Sequence, residues 1–184
     1  IQSIKHIKEN SIKGDLVECG VWRGGNLILF KKLIDQHKLD KKIFAFDTFE
    51  GMPEPTINDY DLKDIKAQQI YDNYKTKDIK WCYSTLEEVK KNIFKFYPDY
   101  DESFKFIEGK VETTLKNSKN LPDQISLLRL DTDFYESTKI ELEILYPKLS
   151  SGGVLIIDDY GHWNGSRKAV DEYFELDKNF MWLH

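Results

Sequence analysis

The sequence predicts a doubly wound α/β fold: a mostly parallel sheet with helices on both faces. Three observations predict it. Short apolar runs alternate with segments of helical periodicity along the 184 residues. The runs are nearly continuous instead of alternating apolar with polar, as strands buried on both faces are. Each ends at or near an acidic residue or a glycine, where loops leave the carboxyl edge of such a sheet. At this length, with 40 % hydrophobic and 14 % aromatic residues, one domain with a substantial core is expected, and two ordinary domains would not fit.

The strands are expected at 16–21, 42–47, 104–108, 125–131 and 154–158, each rich in Ile, Val, Phe or Leu. A helix over 26–37 follows from apolar residues at 27, 29, 30, 33 and 34, a helical stripe. Ser84 and Glu87 have the spacing of a capping box and open a helix over 85–96. Thr138 and Glu141 repeat that spacing ahead of a helix over 140–149. The last helix, 167–176, gathers Ala169, Val170, Tyr173 and Phe174 on one stripe. The order is βαβαβαβαβα with right-handed crossovers. Residues 51–80 are the exception: Pro53, Pro55 and many polar residues imply a long connection, with a short helix around 66–74, that is a candidate lid over a site.

Composition excludes several partners. Net charge is −5 with 32 % charged residues mixed in sign, and no Lys/Arg block forms a nucleic-acid footprint. Lys90, Lys91 and Lys95 are spaced as the solvated face of a helix. Cys19 and Cys82 lack a Cys-x-x-Cys spacing, and Cys19 sits in an apolar run; this argues for a reducing compartment and against zinc. Apolar runs of about seven residues fall well short of the ~20 a spanning helix needs. The first residues are polar and basic and lack the apolar core of a signal peptide. A cytoplasmic enzyme without membrane or nucleic-acid partners is expected; homo-oligomerisation is left open.

In an open α/β sheet, ligands bind beyond the carboxyl ends of the strands. After the first strand, Gly20, Gly24 and Gly25 allow a tight turn at a helix N-terminus. Gly24 follows Gly20 at four residues, unlike the glycine spacing of nicotinamide enzymes. Glu18 would repel a pyrophosphate and suits a cationic or amino group instead. The second strand ends at Asp47, where a carboxylate accepts ribose hydroxyls, although a surface turn aspartate would look the same. The third ends in Glu108–Gly109, a small residue against which adenine fits. Asp131 and Asp133 end the fourth strand, and Asp158 and Asp159 the fifth. Four converging carboxylates raise one another's pKa values unless a cation is present, and without histidine or cysteine the natural cation is hard, such as Mg²⁺. Helix capping would explain one such aspartate less awkwardly than four.

Taken together, the runs 17–25 (Val-Glu-Cys-Gly-Val-Trp-Arg-Gly-Gly), 46–53 (Phe-Asp-Thr-Phe-Glu-Gly-Met-Pro), 128–138 (Leu-Arg-Leu-Asp-Thr-Asp-Phe-Tyr-Glu-Ser-Thr) and 152–160 (Gly-Gly-Val-Leu-Ile-Ile-Asp-Asp-Tyr) resemble the macrocin O-methyltransferase family over nearly the whole chain. The resemblance implies a Rossmann-like S-adenosylmethionine-dependent methyltransferase acting on sugar hydroxyls, with a sheet that normally finishes in a C-terminal hairpin, of which the chain to His184 is expected to lack the last strand. It implies Asp131, Asp158 and Asp159 as metal ligands. It implies Glu18, Gly20 and Gly24 at the methionine end of the cofactor and Asp47 at the ribose, with Thr48, Phe49 and Gly109 beside them. Asp133 falls at the place of the general base, with His162 as rival. Tyr135, Trp163 and Arg167 are candidates for the acceptor pocket, core packing being the alternative for the aromatics. A nicotinamide oxidoreductase and a non-catalytic cofactor-binding domain are the rival classes.

Overall fold

The computed structural model describes residues 1–98 and 103–176. Five strands, β1 (Asp15–Cys19), β2 (Ile43–Asp47), β3 (Phe104–Glu108), β4 (Ile125–Leu130) and β5 (Leu149–Ile157), form one parallel sheet in the order β3-β2-β1-β4-β5. The chain order reverses between β1 and β4. The loops leaving those two neighbours diverge there, and a crevice opens at their carboxyl ends.

Because successive strand residues face opposite sides, each strand feeds two cores. On one face Leu16, Ile43, Ala45, Phe104 and Leu127 pack with α1 (Gln2–Glu9), α2 (Gly25–His37) and α4 (Leu86–Phe94). On the other, Val17, Phe46, Ile107, Leu128 and Leu130 pack with α5 (Val111–Thr114), α6 (Tyr135–Leu145) and α7 (Asn164–Leu176). All five expected strands and the five expected helices are present. Helices α1 and α5 were not anticipated: α1 buries only Ile4 and Ile7 of eight residues, too sparse a stripe to read, and α5 is a single turn of four residues.

Three boundaries differ for identifiable reasons. The cap of α4 lies one residue later than Ser84: Thr85 Oγ1 accepts from Glu88 N at 3.1 Å, while Ser84 Oγ donates to the Glu88 carboxylate. Helix α6 starts at Tyr135, not 140, so Thr138 and Glu141 are not a capping box but lie buried inside it. Strand β5 begins at Leu149, through Ser150 and two glycines that carry little strand propensity; pairing with β4 overrides them.

The segment 51–80 is docked on the domain. It contains α3 (Ala67–Thr76) and is held by isolated bridges Tyr60–Lys66 and Asp61–Trp163. Trp81, following it, stacks on Tyr74 at 5.9 Å and meets Phe134 and Trp163 edge-on or tilted at 6.0 Å. Asp59, buried, accepts from Thr56 N and Oγ1 at 2.7 Å each and from Tyr135 N at 2.8 Å. One carboxylate thus closes the loop on itself and satisfies an open N–H at the start of α6. Among the described residues, no helix is long and apolar enough to cross a membrane.

Candidate active site

Strands β1 and β4 approach so closely at their ends that the site begins with a glycine. Gly20 has φ +83°, and a Cβ there would lie 1.9 Å from the Asp131 carbonyl oxygen. Gly20 N donates to Phe46 O and Asp131 N to Cys19 O, both at 2.9 Å, so three strand ends are tied together at this point. The turn after Gly20 is fastened by Asp47: Val21 N and Trp22 N donate to its Oδ2 at 2.7 and 3.0 Å, and Phe49 N to its Oδ1 at 2.7 Å. The carboxylate expected at a ribose therefore also shapes the glycine-rich turn, leaving Oδ1 the less occupied oxygen.

A cavity of about 240 Å³ opens above these strand ends. Gly20, Asp47, Thr48, Gly109, Asp131 and Asp133 all line it, together with Trp22, Met52, Cys82 and Glu112. Glu18 lies beneath it, 1 % exposed. Its Oε1 accepts from Asn26 Nδ2 at 3.0 Å and Arg129 Nη1 at 2.9 Å, and its Oε2 is buried without a partner. Burial pushes Glu18 up to about 7 against the opposing pull of Arg129.

Arg129 is the residue the sequence reading missed. It reaches from β4 to three carboxylates: Nη1 to Glu18 and Asp131, Nη2 to Asp158 at 2.7 Å. A charged residue inside an apolar strand run is the signal that marks it. Asp158 is thereby turned to Arg129 and stands about half exposed. The carboxylates that converge are Asp131, Asp133 and Asp159, with one oxygen from each lying within 4.8 Å of the others. This differs from the set the resemblance implied, because Asp158 and Asp159 are neighbours pointing in different directions. Burial raises Asp131 to about 7, with Arg129 opposing. Burial raises Asp133 to about 9, helped by the hydrogen bond it shares with Asp159 and by the surrounding negative charge. Asp159 is raised by burial, and its Oδ2 is buried without a partner. A hard cation would relieve all three.

Other expected site residues act elsewhere. Gly24 is the left-handed N-cap of α2, where a Cβ would press Val89 at 2.9 Å. Phe49 is core, its ring edge-on to Phe106, and does not line the cavity. His162 is exposed and packs edge-on against Trp163 at 5.0 Å, outside the cavity lining. Tyr135 donates its hydroxyl to Glu172 at 2.6 Å, Trp163 belongs to the buried aromatic cluster, and Arg167 lies over Tyr160. None of these three is brought to the cavity, because α6 and α7 present those faces to each other or to the docked loop.

A parallel sheet in this order, with a glycine-rich turn after β1 and cavity-lining acids at the ends of β2 and β4, is the fold of the S-adenosylmethionine-dependent O-methyltransferases. The chain belongs to the macrocin O-methyltransferase (TylF) family, whose model matches residues 1–179. It is 36 % identical over 173 residues to demethyldecarbamoylnovobiocin O-methyltransferase of Streptomyces niveus, covering 94 % of this chain and 62 % of that protein. It is 33 % identical over 171 residues to 8-demethyl-8-(2,3-dimethoxy-alpha-L-rhamnosyl)-tetracenomycin-C 4'-O-methyltransferase of Streptomyces olivaceus, covering 92 % and 61 %. The chain thus spans about three fifths of the length of these relatives. Among solved structures, the O-methyltransferase NovP superposes with TM-score 0.81 at 34 % identity, over 97 % of this chain and 70 % of that one. Calicheamicin methyltransferase CalS11, at 22 % identity and TM-score 0.69 over 99 % and 71 %, shares the fold.

Proposed function

We propose that this chain is the catalytic domain of an S-adenosylmethionine- and divalent-cation-dependent O-methyltransferase acting on a sugar hydroxyl of a glycosylated small molecule. The observation that carries it is the convergence of Asp131, Asp133 and Asp159, the first two of which line the crevice with Gly20, Asp47 and Gly109. The names of the relatives support the sugar acceptor: they specify demethyldecarbamoylnovobiocin, a dimethoxyrhamnosyl-tetracenomycin and, for a 29 % identical protein of Micromonospora griseorubida, mycinamicin III.

The residues fit the groups the reaction needs. A sulfonium cofactor with its ammonium is cationic; the Asp47 carboxylate lines the crevice, and Glu18, buried at the end of β1, has one oxygen without a partner. Carboxylate oxygens are the donors a hard divalent cation takes. When bound, the cofactor supplies an electrophilic methyl and the cation lowers the pKa of an acceptor hydroxyl. The chain's own residues do the rest. With a cation beside it Asp133 would be ionised, and on the oxygen not lent to that cation it would take the proton of the attacking hydroxyl, a role worth about 10²–10⁴-fold for a positioned base. The walls of the crevice would confine the acceptor hydroxyl beside the cofactor methyl, a placement that gives a large effective molarity. Asp131 and Asp159 are the ligands common to the geometry and the resemblance. Asp133 completes the set in this conformation, while Asp158 stays with Arg129.

Labelled-methyl transfer to a panel of glycosides should vanish with EDTA and return with Mg²⁺. Activity that survives EDTA, or calorimetric binding of NAD in place of S-adenosylhomocysteine, overturns the reading. Asp133→Asn should weaken cation binding more than Asp158→Asn; the reverse order places Asp158 in the set.

A further inference from the structure

Glu141 is fully buried in the middle of α6, on the stripe that carries Thr138, Leu142 and Leu145 into the core. Packing alone would place an aliphatic residue there. Its partners explain the carboxyl. Thr132 Oγ1 donates to both of its oxygens, at 3.0 and 3.1 Å, and the Cys19 thiol hydrogen-bonds to it. Burial raises Glu141 well above the ordinary carboxylate range, and the nearby Glu112 and Asp131 charges act in the same direction.

What it holds is under strain. Phe134 N donates to Thr132 O at 2.7 Å, two residues apart, and Asp133 between them has φ +66°. That is a γ-turn of the rare positive-φ kind, costly for a residue with a side chain. Such a conformation persists only where its surroundings over-determine it. Ser137 Oγ grips the Thr132 carbonyl at 3.3 Å, and Asp59 grips Tyr135 N from the docked loop. Glu141 grips the Thr132 side chain from below and, through Cys19, refers it to the end of β1.

We propose that Glu141 is a positioning residue: acting through the Thr132 hydroxyl, it fixes the strained turn that aims Asp133 at Asp131 and Asp159. This rests on the cation-dependent reading above. It predicts that removing the carboxyl loosens the cation cluster while sparing the cofactor crevice.

The test uses the unsubstituted chain with Glu141→Gln, Glu141→Leu, Thr132→Val and the Thr132→Val/Glu141→Leu double variant. Mn²⁺ affinity and S-adenosylhomocysteine affinity are measured separately by calorimetry, without any acceptor. Glu141→Leu and Thr132→Val should each weaken Mn²⁺ at least about 10-fold. S-adenosylhomocysteine should stay within about threefold in the Glu141 variants and fall less than Mn²⁺ in Thr132→Val, whose side chain itself lines the cavity. Glu141→Gln, which can still accept the Thr132 hydrogen bond, should bind Mn²⁺ within about threefold of the parent. The double variant should be no weaker than either single one, since both remove one contact. Mn²⁺ affinity retained in Thr132→Val overturns the proposal, as do single losses that multiply in the double variant or an equal fall in both ligands. The Thr132→Val arm decides the matter even where Glu141→Leu does not fold. An unsubstituted chain that binds S-adenosylhomocysteine but no Mn²⁺ sinks the cation site, and this inference with it.

Discussion

Replacing Arg129 with methionine keeps the length and apolar stem of the side chain and removes the one cation shared by Glu18, Asp131 and Asp158. Breaking a buried ion pair costs up to ~3–5 kcal/mol when the remaining charge has no escape. Here it has one. Glu18 already titrates at about 7 with Arg129 in place. At pH 8.5 its ionised form is therefore favoured over the neutral one by only about 2 kcal/mol, at about 1.4 kcal/mol per pH unit. Protonation of Glu18 caps its share of the loss near that figure. Asp131 also titrates at about 7, but it is 28 % exposed and counts for less. The Asp158 arm is 48 % exposed and contributes a few tenths of a kcal/mol at most. The sign follows from the raised pKa values. Below about 7 both acids are neutral in the fold and Arg129 has little to stabilise; above it they are ionised and its attraction counts. Urea unfolding of Arg129→Met at low salt should show a deficit of about 2–3 kcal/mol at pH 8.5, shrinking below ~1 kcal/mol at pH 5.5. A deficit that is constant with pH, or larger at pH 5.5, would refute this account of the cluster.

Gly20→Ala should lose at least about 3 kcal/mol and cofactor binding together, because its Cβ meets a carbonyl oxygen at 1.9 Å that paired strands cannot move; calorimetry and urea titration check both. Asp59→Ala should cost about 2–4 kcal/mol and open residues 51–80 to limited proteolysis, since it leaves Thr56 and Tyr135 N without their acceptor; an unchanged cleavage pattern would show that the aromatic cluster alone docks the loop. Cys82 lines the cavity with its thiol pushed up to about 11, by burial and then by Asp133 and Asp131, so alkylation by iodoacetamide should climb about tenfold per pH unit from 7 to 10; a plateau near pH 8 would contradict it.

The cap and helix misplacements at α4 and α6 share one physical origin. A capping box is a local pattern, and at Thr138–Glu141 the same spacing arises when two polar side chains are buried for a tertiary purpose. Arg129 and Glu141 were legible in principle as charges inside apolar periodicity. Their partners were not, since those come from β1, the β4 loop and β5.

The sequence by itself determined the parallel sheet, because near-continuous apolar runs separated by helical stripes can bury their surface in few other ways. It also placed acids and glycines at strand ends, and family motifs are read from that order. Only the tertiary structure decided which carboxylates meet. Asp158 and Asp159 are adjacent in the chain, yet a guanidinium from β4 takes the first and leaves the second to Asp131 and Asp133. Side-chain direction at a strand end depends on what the neighbouring strand offers, and that neighbour is set by sheet order, which no local spacing records.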